Sequence, residues 1–453
     1  MTYSLYFHIP FCTHRCAYCD FNTYAGQEAL IPAYVEALCN EIRLVAGSAQ
    51  DRLPIHTIYF GGGTPSLLAP QQFEQILQTV RTSFNLVPID ASDTSGPSKA
   101  SDASEPLEPS NTSGTSGASG TSGTFSSLET SLEANPGTVT FNSLQGLQRV
   151  GFNRISFGVQ SFHADELRQL ERIHDPFDVM EAVRWARKAG FGNLNLDLIF
   201  GLPEQTLSRW QESLRQAVDL APEHLSLYAL TIEHGTLFGR WAERGLMPMP
   251  DPDLAADMYD AASDYLATQG YEQYEISNWS KPGFQCRHNL QYWCNQPYLG
   301  FGAGAHGCTN DLRISNVLRI KTYLNHLSPY FPSFQSSDFS FPLSPATVNQ
   351  TRITPYIEMQ ETMLLGLRLT HEGVSTQAFQ TRFGQDPVVV FGKEINELVQ
   401  LGLLEWVNSP RPSGEGQAVR AGGSLDAQGA GVRVRLTRRG RLLGNQVFMR
   451  FVG

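Results

Sequence analysis

The sequence predicts an α/β fold in which six strand–helix units form a partial barrel, followed by a smaller α+β module of winged-helix type. Two observations support this prediction. Short β-rich segments alternate with helical patterns through the first half of the chain, and beyond Thr354 several helical patterns precede two β-rich segments. Strands that alternate with helices favour a parallel sheet with right-handed crossovers.

Six β-rich segments form the repeat: Leu5–Pro10, Ile55–Gly63, Glu129–Asn135, Asn153–Gln160, Asn193–Phe200 and His224–Ile232. Helical patterns between them include Ile31–Val45, Pro70–Phe84, Phe177–Ala189 and Leu207–Leu220. Several segments end in glycine or polar residues, namely Gly61-Gly62-Gly63-Thr64, Glu133, Gln160 and Asp197. Functional groups of barrel enzymes gather at the carboxyl ends of the strands, so these residues are site candidates, although each could simply begin a loop.

The C-terminal pattern begins with the amphipathic segment Tyr356–Leu369, and shorter helical patterns follow at Val374–Phe383 and Lys393–Leu401. Residues 402–406 and 432–437 then give a two-strand pattern. Three helices and a β-ribbon predict a winged-helix-like module. Its expected recognition face is not clearly basic, so we expect a structural or docking role for it.

Composition divides the chain further. Residues 91–126 are dominated by Ser, Thr, Gly, Asp and Pro, which predicts a disordered insertion on the barrel face opposite the chemistry. The expected organisation is a barrel domain over 1–235, a flanking region over 236–327, a linker over 328–353 and the winged-helix-like domain over 354–453, with a second loose insertion over 408–431.

The overall composition excludes several classes of protein. The net charge of −11 argues against a nucleic-acid backbone as the main partner. No stretch approaches the length of a membrane-spanning segment, and the N-terminus does not resemble a signal peptide. Seven cysteines, an odd number, favour a reducing compartment over a disulfide framework. We therefore expect a cytoplasmic protein.

Three cysteines near the N-terminus have the spacing Cys12-x3-Cys16-x2-Cys19. Thiolates are soft ligands that suit zinc or an iron–sulfur cluster. Zinc would need a fourth protein ligand, but His14 lies inside the first spacing and Cys39 lies in a helical pattern. The open fourth position favours a 4Fe–4S cluster with one non-protein ligand, and a structural zinc site is the alternative.

The cysteine spacing, with Tyr18 before the last thiol, resembles the signature of the radical S-adenosylmethionine (SAM) superfamily. The stretch Gly61-Gly62-Gly63-Thr64-Pro65 follows a β-rich segment and is similar to the SAM-contacting motif of that family. The resemblance implies a partial (β/α)6 TIM-like radical SAM barrel and a 4Fe–4S cluster held by Cys12, Cys16 and Cys19. It also implies SAM on the open iron, where reduction of the cluster cleaves the sulfonium to a 5′-deoxyadenosyl radical.

The resemblance extends to the coproporphyrinogen III dehydrogenase-like group through residues 6–12, 133–136, 151–162 and 195–203. Carried over by position, it implies SAM contacts at Tyr6, Gly62, Gly63, Thr64, Glu133, Gln160, Arg172, Asp197 and Ile199. Carboxylates can accept hydrogen bonds from the methionine ammonium or the ribose, and an arginine can pair with the methionine carboxylate. The alternatives are a surface arginine for Arg172 and a core aromatic for Tyr6.

Two features favour the heme chaperone branch of this group over its dehydrogenases. The dehydrogenases place a fourth cysteine two residues after the third, where this chain has Phe21. They also carry an N-terminal extension ahead of the cluster strand, for which the position of Cys12 leaves no room.

A motif also favours the chaperone branch. The stretch His288-Asn289-Leu290-Gln291-Tyr292-Trp293 resembles the His-Asn-x-x-Tyr-Trp motif of that branch. The resemblance implies heme binding by His288, Asn289, Tyr292 and Trp293, with His288 on the heme iron, because imidazole ligates iron and aromatic rings contact the macrocycle. Alternatively, His288 caps a loop and the aromatic rings pack in the core. His306 and Cys308 are weaker ligand candidates, and Cys286 and Cys294 are expected to be buried thiols.

The resemblance therefore implies a heme chaperone that binds heme and a SAM-ligated 4Fe–4S cluster and transfers heme to acceptor proteins. The alternative is an oxygen-independent coproporphyrinogen III dehydrogenase, which uses the radical for oxidative decarboxylation of propionates.

Overall fold

The computed structural model describes residues 2–87, 128–309, 311–328, 340–408 and 432–452. The whole of the predicted insertion 91–126 lies outside the described residues. Residues 409–431 of the second predicted insertion also lie outside them. Within the described residues, no helix has the length and apolarity that a bilayer crossing requires.

The first group of elements contains the predicted repeat. In chain order it comprises β1 (Tyr3–Ile9), β2 (Phe11–Cys12), β3 (Tyr24–Ala25), α1 (Ile31–Ser48), β4 (Pro54–Gly62), α2 (Pro70–Ser83), β5 (Asn85–Leu86), β6 (Glu129–Ala134), α3 (Phe141–Val150), β7 (Arg154–Gln160), α4 (Ala164–Gln169), α5 (Pro176–Ala189), β8 (Leu194–Phe200), α6 (Leu207–Asp219) and β9 (His224–Ala229). The six predicted strands correspond to β1, β4, β6, β7, β8 and β9, with ends that agree to within a few residues.

The second group flanks the repeat on both sides. It comprises α7 (Leu237–Glu243), α8 (Pro252–Thr268), β10 (Glu272–Glu275), β11 (Asn278–Ser280), α9 (Arg287–Trp293), β12 (Tyr298–Phe301), β13 (His306–Cys308), β14 (Leu312–Asn316), α10 (Ile320–Leu327) and β15 (Thr347–Arg352). The third group forms the C-terminal module: α11 (Pro355–Gly366), β16 (Val374–Ser375), α12 (Thr376–Phe383), α13 (Pro387–Gln400), β17 (Leu404–Asn408), β18 (Val432–Leu436), α14 (Arg438–Leu442) and α15 (Gly444–Val452).

The main sheet has the strand order β10-β11-β9-β8-β7-β6-β4-β1-β12-β13-β14-β15, with β5 beside β4. Neighbouring strands from β9 to β12 are parallel, and the strands at both flanks are antiparallel. This is the predicted partial barrel. Its carboxyl-terminal strand ends lie along one rim, where parallel barrels place their functional groups.

The two faces of the barrel strands have different chemistry. On β1, Leu5 and Phe7 are buried in the large core between strands and helices, and the Phe7 ring stacks on Phe60 of β4. The alternate residues face the inside of the barrel, where Ser4 Oγ hydrogen-bonds Thr57 Oγ1 at 2.5 Å. Because side chains alternate along a strand, one sequence supplies both an apolar outer face and a polar interior.

The C-terminal module has a three-stranded sheet of order β16-β18-β17 and its own apolar core. Helices α11 to α15 surround this sheet, in agreement with the predicted α+β module. Part of the predicted linker 328–353 forms β15, which pairs with β14 at the edge of the main sheet. Its side chains are mostly exposed and polar, so no apolar alternation marks it in the sequence. The predicted domain boundaries stay predictions.

Candidate functional site

The three predicted cluster ligands lie on one loop at the carboxyl end of β1. Cys12 ends β2 and is buried, whereas Cys16 and Cys19 are partly exposed. The loop closes on itself through the hydrogen bond from Cys19 N to Cys16 O at 3.2 Å. All three thiols are free, and so are the other four cysteines. Among the described residues, no three His, Cys, Asp or Glu side chains converge on one metal position. The loop therefore groups three thiols, and a 4Fe–4S cluster would take each of them on a different iron.

Phe21 lies on the same loop, and 62% of its surface is exposed. The residue that distinguishes the two branches in the sequence is thus an apolar side chain beside the three thiols, in solvent at the rim of the barrel.

The glycine-rich turn packs directly against the cysteine loop. Gly63 N donates to Ile9 O at 2.9 Å, Thr64 N donates to Phe11 O at 2.7 Å, and Thr64 Oγ1 donates to Cys12 Sγ at 3.5 Å. A Cβ atom on Gly63 would lie 2.6 Å from Phe11 O, so only glycine permits this approach of the two backbones.

Glu133 connects the glycine turn to the barrel interior. Its Oε2 accepts from Gly62 N at 3.0 Å and its Oε1 accepts from the Tyr59 hydroxyl at 2.9 Å. Burial raises the pKa of Glu133 to about 7, repulsion from Asp197 adds to this shift, and the two hydrogen bonds oppose it. A positive charge beside Glu133 would favour its ionised form, so the carboxyl group suits a cationic hydrogen-bond donor.

Asp197 lies on β8, two strands away from Glu133 in the sheet, and two donors hold its carboxylate. Ser156 Oγ donates to its Oδ2 at 2.9 Å, and Asn195 Nδ2 donates to its Oδ1 at 2.7 Å. Burial raises the pKa of Asp197 as well. Two carboxyl groups inside one barrel therefore repel each other, which favours a ligand that brings positive charge or hydroxyl donors.

Arg172 connects the cysteine loop to the end of β7. Its Nη2 donates to Gly158 O at 2.7 Å and its Nη1 donates to Cys16 Sγ at 3.4 Å. Its Nε is buried without a hydrogen-bond partner among the described residues. Gln160, at the end of β7, has φ +69°, a strained conformation for a residue with a side chain.

The structure thus brings the predicted SAM residues to one rim and the barrel interior below it. Tyr6 lies on β1 and hydrogen-bonds His8 Nδ1 through its hydroxyl at 3.0 Å, and Ile199 is buried on β8 in the small core that includes Ala17 of the cysteine loop. Three free thiols, a close glycine turn, two buried carboxyl groups and a buried guanidinium nitrogen without a partner fit a 4Fe–4S cluster and SAM.

The predicted heme motif lies at the opposite end of the barrel. Helix α9 begins at Arg287, and the Glu129 carboxylate accepts from the backbone N–H groups of Arg287 and His288 at 3.1 and 3.0 Å. Because Glu129 is the first residue of β6, α9 sits at the amino-terminal ends of the strands. Asn289 is on the same helix, and Trp293 packs under the Arg368 guanidinium at 4.3 Å.

His288 itself is enclosed, with 1% of its surface exposed. Its Nδ1 hydrogen-bonds Thr57 Oγ1 at 2.9 Å, its Nε2 hydrogen-bonds the Tyr292 hydroxyl at 2.9 Å, and its ring stacks on Tyr59. Burial lowers its pKa to about 3. Iron ligation by His288 stays a prediction, and it would require the loss of one of these hydrogen bonds.

Sequence reasoning did not identify Tyr59, His8, Ser156 or Asn195, which position the predicted site. The available signal was strand alternation, because Tyr59 shares a face with Gly61 and Asn195 shares a face with Asp197. The His8 ring lies where a side chain on Gly62 would be.

Two protein families match parts of this chain. Residues 6–217 match the radical SAM superfamily, and residues 353–408 match the HemN C-terminal domain. Membership of the radical SAM superfamily implies SAM and a 4Fe–4S cluster.

Individual relatives that match over two thirds or more of the chain give a narrower assignment. Heme chaperone HemW of Bacillus subtilis (strain 168) is 34% identical, and the match covers 99% of both chains. Heme chaperone HemW of Escherichia coli (strain K12) is 40% identical over 67% of this chain and 69% of that protein.

A solved structure confirms the fold. The chain matches the structure of coproporphyrinogen III oxidase (HemN) from Escherichia coli, a radical SAM enzyme, with a TM-score of 0.71. The match covers 99% of this chain and 89% of that one at 20% identity, so it supports the fold alone. The barrel and the C-terminal module are therefore those predicted from the sequence, and the chain belongs to the HemW family within the radical SAM superfamily.

Proposed function

We propose that this protein is a heme chaperone, which binds heme and a SAM-ligated 4Fe–4S cluster and transfers heme to acceptor proteins. The observation that supports this proposal most strongly is the match to heme chaperone HemW of Bacillus subtilis over nearly the whole of both chains. We further propose the cytoplasm as its location, on the basis of the cysteine content.

Cys12, Cys16 and Cys19 are the proposed ligands of the cluster. Their thiols share a loop whose backbone is held by the glycine turn, so three of the four cluster irons can be ligated from one segment. A reduced cluster would supply the electron that cleaves SAM.

The SAM site is proposed to lie between this loop and the barrel interior. Glu133 and Asp197 offer carboxylate acceptors to the ammonium or the ribose, and Arg172 offers a guanidinium to the methionine carboxylate. Tyr6, Gly62, Gly63, Thr64, Gln160 and Ile199 complete the proposed contacts.

The second candidate function is oxygen-independent coproporphyrinogen III dehydrogenation. It is favoured by the retained cysteine loop and SAM residues, and the solved structure of HemN has the same fold. At 20% identity that likeness does not extend to substrate, and Phe21 occupies the position of the fourth cysteine of the dehydrogenases.

Two assays on one preparation with an intact cluster test the proposal. Titration with hemin should give saturable binding of one heme per chain, followed by transfer to an apo-heme protein. Incubation with dithionite, SAM and coproporphyrinogen III under anaerobic conditions should give no protoporphyrinogen. Product formation without saturable heme binding would establish the dehydrogenase instead.

A further inference from the structure

Strand β7 has an irregular backbone at its end, where it carries the proposed SAM contact Gln160. Gly158 and Gln160 pair with the consecutive residues Asp197 and Leu198 of β8, so Val159 is an extra residue in β7 and forms a bulge. Gln160 has φ +69°, a conformation that costs free energy in a residue with a side chain. Bulges re-aim side chains beside active sites, and a strained residue persists only where its surroundings hold it.

The strained turn is closed through one carbonyl group. Ser161 N donates to Val159 O at 2.9 Å, which makes Gln160 the central residue of a three-residue turn. With a positive φ at its centre, the turn corresponds to the rare and strained form of the γ-turn. A second donor to the same carbonyl would stabilise the turn, because a carbonyl oxygen has two lone pairs.

His174 supplies this second donor from outside the strand. Its Nε2 hydrogen-bonds Val159 O at 3.0 Å, and because a carbonyl oxygen can only accept, Nε2 carries the proton. The residue is 3% exposed, and its Nδ1 is buried without a hydrogen-bond partner among the described residues. The bond to Val159 is therefore the one hydrogen bond that this enclosed ring makes within the described part of the chain.

His174 is itself fixed between two strand ends. A Cβ atom on Gly137, in the turn that follows β6, would lie 3.3 Å from the His174 Cβ, so this turn packs directly on the histidine. Strand β6 ends at Ala134, directly after the proposed SAM contact Glu133. Burial and the positive charge of Arg172 lower the pKa of His174 to about 4, which keeps the ring neutral beside the guanidinium. His174 thus connects the ends of two strands that both carry proposed SAM contacts.

The turn determines where the Gln160 amide lies. A Cβ atom on Gly158 would lie 2.9 Å from Gln160 Nε2 and 3.2 Å from Arg172 Nη2, so both side-chain ends lie over this glycine. Arg172 Nη2 also donates to Gly158 O at 2.7 Å. Arg172 and His174 therefore donate to two consecutive carbonyl groups of the bulge. The result is an amide next to a guanidinium at the rim, a pair that can bind a carboxylate and a hydroxyl group.

We propose that His174 is a positioning residue of the SAM site. Its hydrogen bond to Val159 O stabilises the strained turn, and the turn holds the Gln160 amide beside Arg172, where both groups can bind SAM. This inference rests on the proposed SAM-ligated cluster and adds a residue that acts without contacting SAM itself. A histidine that only filled the core could be replaced by an apolar side chain, whereas this role requires a donor at the position of Nε2.

Anaerobic calorimetric titration with SAM tests the proposal on the full-length protein with its cluster intact. His174→Gln and His174→Met have side chains of equal length, but only the glutamine amide can donate to Val159 O. His174→Met is expected to weaken SAM binding by about tenfold, because the turn loses its second donor, and His174→Gln should retain most of the affinity. The electron paramagnetic resonance spectrum of the reduced, SAM-free cluster should be the same in both variants and the wild type.

A double-mutant cycle identifies the residue through which His174 acts. Gln160→Ala removes the amide and keeps the turn, so His174→Met should cause less than about a twofold further loss of SAM affinity in that background. His326→Met is the matched control, because His326 on α10 also hydrogen-bonds one carbonyl group, from Nδ1 to Pro345 O at 2.8 Å. Its SAM affinity should equal that of the wild type.

Equal SAM affinities of His174→Gln and His174→Met would overturn the role of His174 and leave the SAM site in place. A full tenfold loss from His174→Met in the Gln160→Ala background would also overturn it. Iron analysis and circular dichroism check every variant, and His174→Phe is the second donor-free variant if His174→Met fails to fold. If wild-type protein with about four irons per chain does not bind SAM, the proposed SAM-ligated cluster is overturned instead.

Discussion

The hydroxyl of Tyr59 donates a hydrogen bond to Oε1 of Glu133 at 2.9 Å, and the same tyrosine ring stacks on His288 with the ring centroids 5.0 Å apart. Tyr59 therefore lies between the proposed SAM site at one end of the barrel and helix α9 at the other. Packing of α9 and the position of the Glu133 carboxylate depend on the same side chain.

Replacement of Tyr59 by Phe is expected to weaken SAM binding. The variant keeps the stacked ring but removes the donor that orients Glu133, and a hydrogen bond to a charged group contributes about 1.5–3 kcal/mol, or roughly tenfold to a hundredfold in affinity. Calorimetric titration with SAM under anaerobic conditions measures the change. Tyr265→Phe, on the partly exposed side of α8, is the matched control, and equal affinities for wild type and Tyr59→Phe would contradict the role of Tyr59.

SAM affinity is expected to rise with pH between about 6 and 7.5. Burial, together with repulsion from Asp197, raises the pKa of Glu133 from 4.5 to about 7, so the carboxyl group is largely neutral at pH 6 and gains its charge over this interval. Only the charged form attracts the methionine ammonium strongly, and the affinity can change by at most about tenfold for each pH unit. Titrations at several pH values measure the slope, and Glu133→Gln should abolish it.

The same raised pKa of Glu133 makes the SAM-free protein less stable as the pH rises. Because the pKa of Glu133 is raised in the folded state, its contribution to stability is fully present below pH 4.5 and is lost as the pH rises through about 7. SAM should therefore stabilise the protein against heat more at pH 7.5 than at pH 6. A SAM-induced change in melting temperature that is equal at both pH values would contradict the assignment of Glu133.

Loss of any one of the three loop cysteines is expected to abolish the cluster. Cys16→Ser replaces a soft thiolate by a poor iron ligand, and wild-type protein prepared without oxygen should contain about four irons per chain. Iron and sulfide analysis, with the visible spectrum, measures the loss. Cys294→Ser is the control, since Cys294 is exposed rather than buried as the sequence predicted, whereas Cys286 is buried as expected. An unchanged iron content in Cys16→Ser would rule out the cluster.

Arg368→Met is expected to destabilise the contact between the barrel and the C-terminal module. Arg368 Nη2 pairs with the buried Glu275 Oε2 at 3.5 Å, and the guanidinium also covers the Trp293 ring. Removal of the guanidinium leaves a buried carboxylate with less compensation, which lowers the free energy of unfolding by about 2–3 kcal/mol. Chemical denaturation followed by tryptophan fluorescence measures this loss.

The pH dependence of the free energy of unfolding tests whether the destabilisation in Arg368→Met comes from Glu275. Burial raises the pKa of Glu275 and Arg368 opposes the shift, so the variant should raise this pKa further. The carboxyl group is then neutral over a wider range, and the destabilisation should be larger at pH 8 than at pH 5. The double variant Arg368→Met with Glu275→Gln should recover part of the loss, whereas Arg450→Met, at a half-exposed pair, should change little.

Local patterns in the sequence determined the architecture and the proposed cluster. The six barrel strands and the helices between them are visible because apolar residues recur with the period of each element, and Cys12, Cys16 and Cys19 lie close enough along the chain to share a loop. The motif on α9 was equally visible, but its surroundings were not. Whether His288 is a free ligand or an enclosed ring depends on Thr57 and Tyr59, which are distant in the sequence.

Only the tertiary structure decided which polar residues meet. Glu133 contacts Tyr59 and Gly62 because β4 and β6 are neighbours in the sheet. Such contacts join residues from separate strands, and they arise from the pairing and register of the whole sheet. A residue type at one position does not encode its distant partner, so the sequence alone identified the chemistry of the cysteine loop and left the environment of each histidine to the fold.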